Sequence, residues 1–253
     1  MTGASSGIGR EIALQLAAER TDLVVVARDT ERLEQLAADI AKTGATVRVE
    51  VLSADLADPG QLATVEARVA DPGRPIDLLV NNAGFGTYGD FADLPIDGEE
   101  REIRVNVIAL VRLAHAAFGA MRKRGEGTIL NVSSVAGLQA TPGNATYGAT
   151  KAFVTSFSEA IYGEAKGTGV KVSMVLPGFT RTEFQDRAGI EGRKIPEIAW
   201  MDADKLAASA LKAAKAGEPF HVPGLLNKTL VGVTRPLPRS LVRAVAARLT
   251  RRL

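Results

Sequence analysis

The 253-residue chain has no cysteine, which excludes a disulfide scaffold and any thiolate metal site. It has only two histidines: His115 has no companion with which to build a metal centre, and His221 reads as a structural residue. No excess of one charge is present. A net charge of +2 gives no global case for binding nucleic acid. Nor is there a run of 18 apolar residues, so a membrane span is not expected. The opening Met-Thr-Gly-Ala-Ser-Ser-Gly has neither a basic segment nor an apolar segment behind it, and is not a signal peptide. What remains, at 46% apolar content, suits one compact α/β domain, with the cytoplasm as the default location.

Residues 128–151 organise the rest. An apolar, β-branched run from Thr128 to Val132 reads as a buried parallel strand, and two serines follow at its carboxyl end. That edge is where open α/β sheets place their ligands. If a helix begins near Asn144, Tyr147 and Lys151 stand one turn apart on one face. A free phenol has a pKa of about 10, and an adjacent ammonium favours its ionised form. Lowering it by about 3 units takes roughly 4 kcal/mol, within reach of two close positive charges, one of them a bound nicotinamide. Tyr147 could then exchange a proton with an oxygen held by Ser134. The plain alternative is an amphipathic helix with serines that only cap; Ser134 upstream and a glycine-rich turn at residues 2–9 weigh against it.

These residues resemble the short-chain dehydrogenase/reductase family. The resemblance rests on Thr2-Gly3-Ala4-Ser5-Ser6-Gly7-Ile8-Gly9, Asn81-Asn82-Ala83-Gly84, Asn106, Ser134, Tyr147 with Lys151, and Pro177-Gly178, in register from residue 2 to about 222. It implies a Rossmann-like doubly wound parallel sheet and an NAD(P)-dependent oxidoreductase interconverting a ketone or aldehyde and an alcohol. Asn106, Ser134, Tyr147 and Lys151 would be its catalytic set. The cofactor would lie against Gly3, Ser5, Ser6, Ile8 and Gly9, then Asp55 and Leu56, then Asn82, Ala83 and Gly84. Tyr147 and Lys151 would hold its ribose, and Pro177, Gly178, Thr180 and Thr182 its nicotinamide. In the family an acid at the position of Ala27 favours NAD; here Ala27 with Arg28 points to NADP, while Asp29 keeps NAD open. Asn106 would bend its helix and fix a water linked to the lysine. Residues 183–200 would form the substrate lid, with Phe184, Ile190, Ile195 and Trp200 as apolar contacts.

The family's first strand should feed the glycine turn, yet only Met1 precedes Thr2. Losing three or four buried aliphatics there would forfeit roughly 5–10 kcal/mol. The expectation is that Met1 stands where that strand ends, through a GTG codon taken as a start. The sheet would then be left open between strands at 23–27 and 76–81.

Other elements follow from punctuation and period: helix 30–43 stopped at Gly44, strand 46–52, helix 59–69, strand 76–81, a long helix 97–123, helix 145–166, strand 171–176, helix 203–216 and strand 220–222. Phe153, Phe157 and Ile161 give helix 145–166 an apolar face, explained equally by core packing or by the homodimer or homotetramer contact common in the family. Residues 1–222 form the catalytic domain. The remainder, 223–253, has no acid and carries Lys228, Arg235, Arg239, Arg243, Arg248, Arg251 and Arg252. Leu241, Val245, Leu249 and Leu253 make it a basic amphipathic tail. Packing on its own domain or a subunit is favoured; a membrane surface would also suit it. Two further readings stay open: a non-catalytic dinucleotide-binding scaffold, and a peripheral membrane reductase of a lipid-like carbonyl.

Overall fold

The computed structural model describes residues 1–189 and 196–234. In chain order the elements are α1 (Gly7–Ala18), β1 (Leu23–Ala27), α2 (Thr30–Lys42), β2 (Val49–Ser53), α3 (Pro59–Ala70), β3 (Leu78–Asn81) and α4 (Ile96–Ile103). A π-helical segment, Arg104–Ala109, joins α4 to α5 (Leu110–Arg124), followed by β4 (Gly127–Val132), α6 (Ala145–Ala165) and β5 (Val170–Val175). Then come β6 (Thr180–Arg181), α7 (Phe184–Arg187), β7 (Met201–Asp202), α8 (Ala203–Ala216), β8 (Phe220–His221) and α9 (Leu225–Thr234). Local chemistry sets several boundaries. Asp29 and Asp58 cap α2 and α3 by accepting from Arg32 N and Gln61 N. Pro59 supplies the fixed φ that suits a first helical position. Gly125, at φ +77°, ends α5 in the left-handed region after three cations that complement the helix dipole.

The strands pair in parallel as β2-β1 and as β3-β4-β5-β8. Between the two pieces lie Met1 and Thr2. Val26 N donates to Met1 O at 2.9 Å, and Thr2 N donates to Val80 O at 3.0 Å. Two residues therefore stand where a central strand is expected, bonded to a neighbour on each side, so the gap is bridged. Helices cover both faces. On one, Ile12 and Leu16 of α1, Leu33 and Leu36 of α2 and Leu211 of α8 share a cluster with Val25 and Leu130. On the other, Leu62 and Val65 of α3 and Leu113 and Met121 of α5 pack with Leu79 and Ile129. By length and composition alone, Ile96–Arg124 would suit a membrane span. Its apolar side is instead core, with Leu110, Leu113, Ala117 and Met121 buried.

One expectation shifts. The strand at 46–52 begins only at Val49, because β1 offers five residues and its register starts at Leu23↔Val49. The face that core packing and a subunit contact explain equally is divided: Ile161 packs into the core, while Phe153 is exposed and stacks on Phe157, with ring centroids 6.0 Å apart. The tail falls in two parts. Its first segment is α9, whose Val231 is buried against Met174, Leu176 and Val222. The stripe from Leu241 to Leu253 and the arginines from Arg235 onward lie outside the described residues.

Candidate active site

A cavity of about 780 Å³ opens at the carboxyl ends of β1, β3, β4 and β5. This is the crevice where the sheet's winding direction reverses. Gly3, Ser5, Ser6 and Ile8 line one end of it. There α1 begins with Ser6 as N-cap, no side-chain cap bond and no acid in its first turn. Free N–H groups and an uncancelled positive dipole make an anion site suited to a pyrophosphate. Gly9 does not face the cavity. A Cβ there would sit 2.1 Å from Gly3 O and 2.5 Å from Asn82 Nδ2, so its lack of a side chain lets α1 pack against the turn. Asn82 Nδ2 donates to Thr2 O and Gly3 O, while the N–H groups of Asn82 and Ala83 donate to Thr2 Oγ1. The two glycine- and asparagine-rich motifs thus hold each other in shape, with Asn82, Ala83 and Gly84 on the cavity wall.

At the far end, Arg28 reaches the cavity exposed and forms no salt bridge among the described residues. Asp29 is spent elsewhere, as the cap of α2 and a partner of Arg32. Asp55 and Leu56 also line the wall. Burial opposes ionisation of Asp55, but bonds from Ala57 N and Arg101 outweigh it and hold the carboxyl below its usual range. The Pro177–Thr182 loop closes the opposite side. Pro177, Gly178, Thr180 and Thr182 all face the cavity, and Thr182 lies against Gly7 at the start of α1.

The chemistry-bearing side chains converge from β4, the turn after it, and α6. Ser134, 9% exposed, accepts from Ala136 N at 3.1 Å and so does cap the turn 135–138; its hydroxyl still faces the cavity beside Tyr147. Ser133 is structural, bonding Lys151 O and Thr155 Oγ1 and so fastening α6 to β4. Lys151, 5% exposed, donates from Nζ to Val132 O at 2.9 Å, with Nζ 5.6 Å from the Tyr147 ring centroid. Burial lowers the Lys151 ammonium to about 8, partly offset by Glu102. The Tyr147 ring is held between Gly86 and Phe184.

The expected lowering of the Tyr147 phenol called on two positive charges, Lys151 and a bound nicotinamide; the protein's own groups act differently. Burial pushes the Tyr147 phenol up to about 12, Ser134 pulls it down, and Glu102 pushes it up again. Among the protein's groups only the Ser134 bond lowers the phenol, and it does not offset burial. Asn106, 1% exposed, does not face the cavity. Its amide donates to Phe85 O and Thr150 Oγ1 and accepts from Phe85 N, anchoring the loop after β3 to the π-helical turn. Of the expected lid contacts, Phe184 lines the cavity and Trp200 packs on Phe179, their centroids 5.8 Å apart. Ile190 and Ile195 lie outside the described residues.

Three residues had not stood out from the sequence. Val231 of α9 lines the cavity, so the chain beyond residue 222 contributes to the site. Glu99 and Glu102 are buried acids beneath it, at 3% and 0% exposure.

The short chain dehydrogenase family model matches residues 1–191. The chain belongs to that family. An oxidoreductase from Staphylococcus epidermidis is 31% identical over 222 residues, 88% of this chain and 91% of that one. A short-chain dehydrogenase from Sphingobium yanoikuyae, solved in complex with NADPH, shares 39% identity at a TM-score of 0.84, over 94% of this chain and 95% of the other. A bulky-bulky ketone specific alcohol dehydrogenase from Comamonas testosteroni shares 33% identity at a TM-score of 0.79, over 94% of each chain. As a short-chain dehydrogenase/reductase, the protein is an NAD(P)-dependent oxidoreductase acting on small carbonyl or alcohol substrates.

Proposed function

We propose that this enzyme is an NADPH-dependent reductase of apolar ketones, with Ser134, Tyr147 and Lys151 carrying the proton chemistry and Asn106 positioning them. The observation that carries this reading is the joining, in one cavity, of an anion-binding helix N-terminus, an exposed Arg28 with no salt bridge among the described residues, and the Ser134–Tyr147–Lys151 group. The residues fit the dinucleotide. Ser6 and the first turn of α1 suit the pyrophosphate, Arg28 a 2′-phosphate, and Asp55 and Leu56 flank the adenine end. Lys151 and Tyr147 would hold the nicotinamide ribose, with Gly178, Thr180 and Thr182 near the carboxamide.

Bound NADPH supplies a hydride to the carbonyl carbon. The rest falls to the chain. Ser134 fixes the carbonyl oxygen, and Tyr147 Oη gives it a proton as negative charge develops there. A phenol at about 12 is fully protonated near neutrality, the state an acid needs for reduction. Lys151 then stabilises the tyrosinate left behind, together with the positive charge of the oxidised nicotinamide. Phe85, Tyr88, Phe179, Phe184 and Val231 surround the substrate end and favour apolar groups on both sides of a ketone, in keeping with the Comamonas enzyme.

The same reading gives exposed Ile103, Ile108 and Phe153, on the helices 96–124 and α6, a second copy of the chain as partner in a homodimer or homotetramer, and the cytoplasm as location. The test is NADPH consumption against a panel of ketones and aldehydes graded by bulk. Turnover rising with apolar bulk is expected. No turnover across the panel refutes the reading.

A further inference from the structure

Beneath the wall of the cavity, α4 carries two acids three residues apart, both directed into the protein. Glu102 Oε2 accepts from Thr87 N at 2.9 Å and from Thr87 Oγ1 at 2.9 Å. Its Oε1 is buried and meets no donor among the described residues. The same Thr87 hydroxyl lies 2.5 Å from Glu99 Oε1, so its one proton is shared between the two acids, and Glu99 also accepts from Thr146, the residue before Tyr147. Thr87 itself faces the cavity. One turn along the helix, Asn106 grips Phe85 of the same loop. Gly84, Phe85 and Thr87 are therefore held from below by Asn106, Glu102 and Glu99, while Lys151 Nζ lies beside Gly84.

A carboxyl in such a place is not needed for packing. A fully buried acid costs free energy unless its charge is answered, and an amide of the same shape would accept from Thr87 equally well. What an amide would not supply is a negative charge that Lys151 and Tyr147 both feel.

We propose that Glu102 is a positioning residue for the reaction: it clamps the 85–87 wall through Thr87, and its charge state sets the proton affinity of the Lys151–Tyr147 pair. This rests on the functional reading above. The ionisable groups that act on Glu102 are Glu99 on its own helix and Lys151 from α6; the loop contributes Thr87, which has no charge. Burial, followed by the facing Glu99, raises Glu102 to about 7, and the Thr87 bonds and Lys151 act in the opposite direction. Near neutrality Glu102 therefore changes charge. Once ionised, it raises both the Lys151 ammonium and the Tyr147 phenol, keeping the lysine positive and the tyrosine protonated. Carbonyl reduction needs both states.

Two measurements test this, one of them independent of turnover. Infrared pH-difference spectra should show a buried protonated carboxyl that ionises with a midpoint near 7 in the wild type, absent in Glu102→Gln. In Lys151→Met that midpoint should rise, because the ammonium that lowers it is gone. In pH–rate profiles of ketone reduction, Glu102→Gln should lose the inflection near neutrality. Its descending limb, set by loss of the Lys151 ammonium, should move towards lower pH, because the charge that raises that ammonium is gone. Thr87→Val, which removes the hydroxyl but keeps the charge, should raise KM without moving the limb. A wild-type midpoint near the ordinary carboxyl value, or a midpoint unmoved in Lys151→Met, overturns the proposal. Superimposable profiles for wild type and Glu102→Gln do so too. Intact infrared behaviour with no turnover on any carbonyl would sink the functional reading and leave the electrostatic coupling standing.

Discussion

Replacing Glu102 by glutamine should change how the stability of the protein depends on pH, in a direction fixed by the burial of that side chain. The carboxyl rises from 4.5 to about 7 on folding. Below about pH 4.5 both states hold the proton and the group is neutral in the balance. Between 4.5 and 7 the unfolded chain has lost the proton while the native chain keeps it, so native stability falls as pH rises. Above 7 both are ionised and the loss stays constant. A shift of this size corresponds to about 3 kcal/mol, at about 1.4 kcal/mol per unit. Glutamine removes that pH-dependent loss. It also places an amide N–H₂ where Oε1 has no hydrogen-bond partner among the described residues, a pH-independent cost of about 1–3 kcal/mol. The difference in unfolding free energy, Glu102→Gln minus wild type, should therefore be negative near pH 5 and rise by about 3 kcal/mol towards pH 8. Urea denaturation at half-unit pH intervals reads it directly, and taking the difference cancels acids such as Asp55 that titrate alike in both proteins. A flat difference would show that Glu102 is ionised throughout and would refute the reasoning.

Other consequences concern the site. In Gly86→Ala the new Cβ would lie 2.9 Å from Tyr147 Cδ2 and 3.3 Å from Phe184 Cζ, so the ring must move. Turnover should drop by roughly 10²-fold with NADPH affinity nearly unchanged, as steady-state kinetics and fluorescence titration would show. Arg28→Ala should weaken NADPH by about 1.5–3 kcal/mol, the range for a hydrogen bond to a charged group, while NADH binding holds. Equal losses for both cofactors would make Arg28 structural. Val231→Ala should raise KM for bulky ketones and cost about 1 kcal/mol in thermal unfolding, since that side chain is both core and cavity wall.

Where the hydrophobic period and the end signals agree, element limits were legible residue by residue. β1 runs from Leu23 to Ala27 and α8 from Ala203 to Ala216, as the pattern requires. The site was legible because its parts are short motifs of residue types that rarely substitute for one another: glycines where a Cβ would strike backbone, and a tyrosine one turn from a lysine. Three things were hidden, each because it depends on what a side chain meets across the fold. Glu99 looks like an ordinary first-turn acid, which favours the positive end of a helix, and Glu102 like a solvated acid one turn further on. Only the return of the 85–87 loop over them shows that they are buried. The burial of the Tyr147 phenol was hidden as well, because spacing shows a neighbouring charge but not desolvation across the fold. Val231 belongs to a stretch whose sequence repeats no shared motif, and its role follows from α9 folding back onto Gly178, against which Asn227 packs.

The central claim is that Tyr147 gives the proton in a carbonyl reduction driven by NADPH. Tyr147→Phe removes only the phenolic hydroxyl and leaves the ring against Gly86 and Phe184. Single-turnover NADPH oxidation with a bulky apolar ketone that the wild type reduces should then be abolished, with NADPH still bound at close to wild-type affinity. Oxidation by Tyr147→Phe at a rate comparable to the wild type would contradict the account.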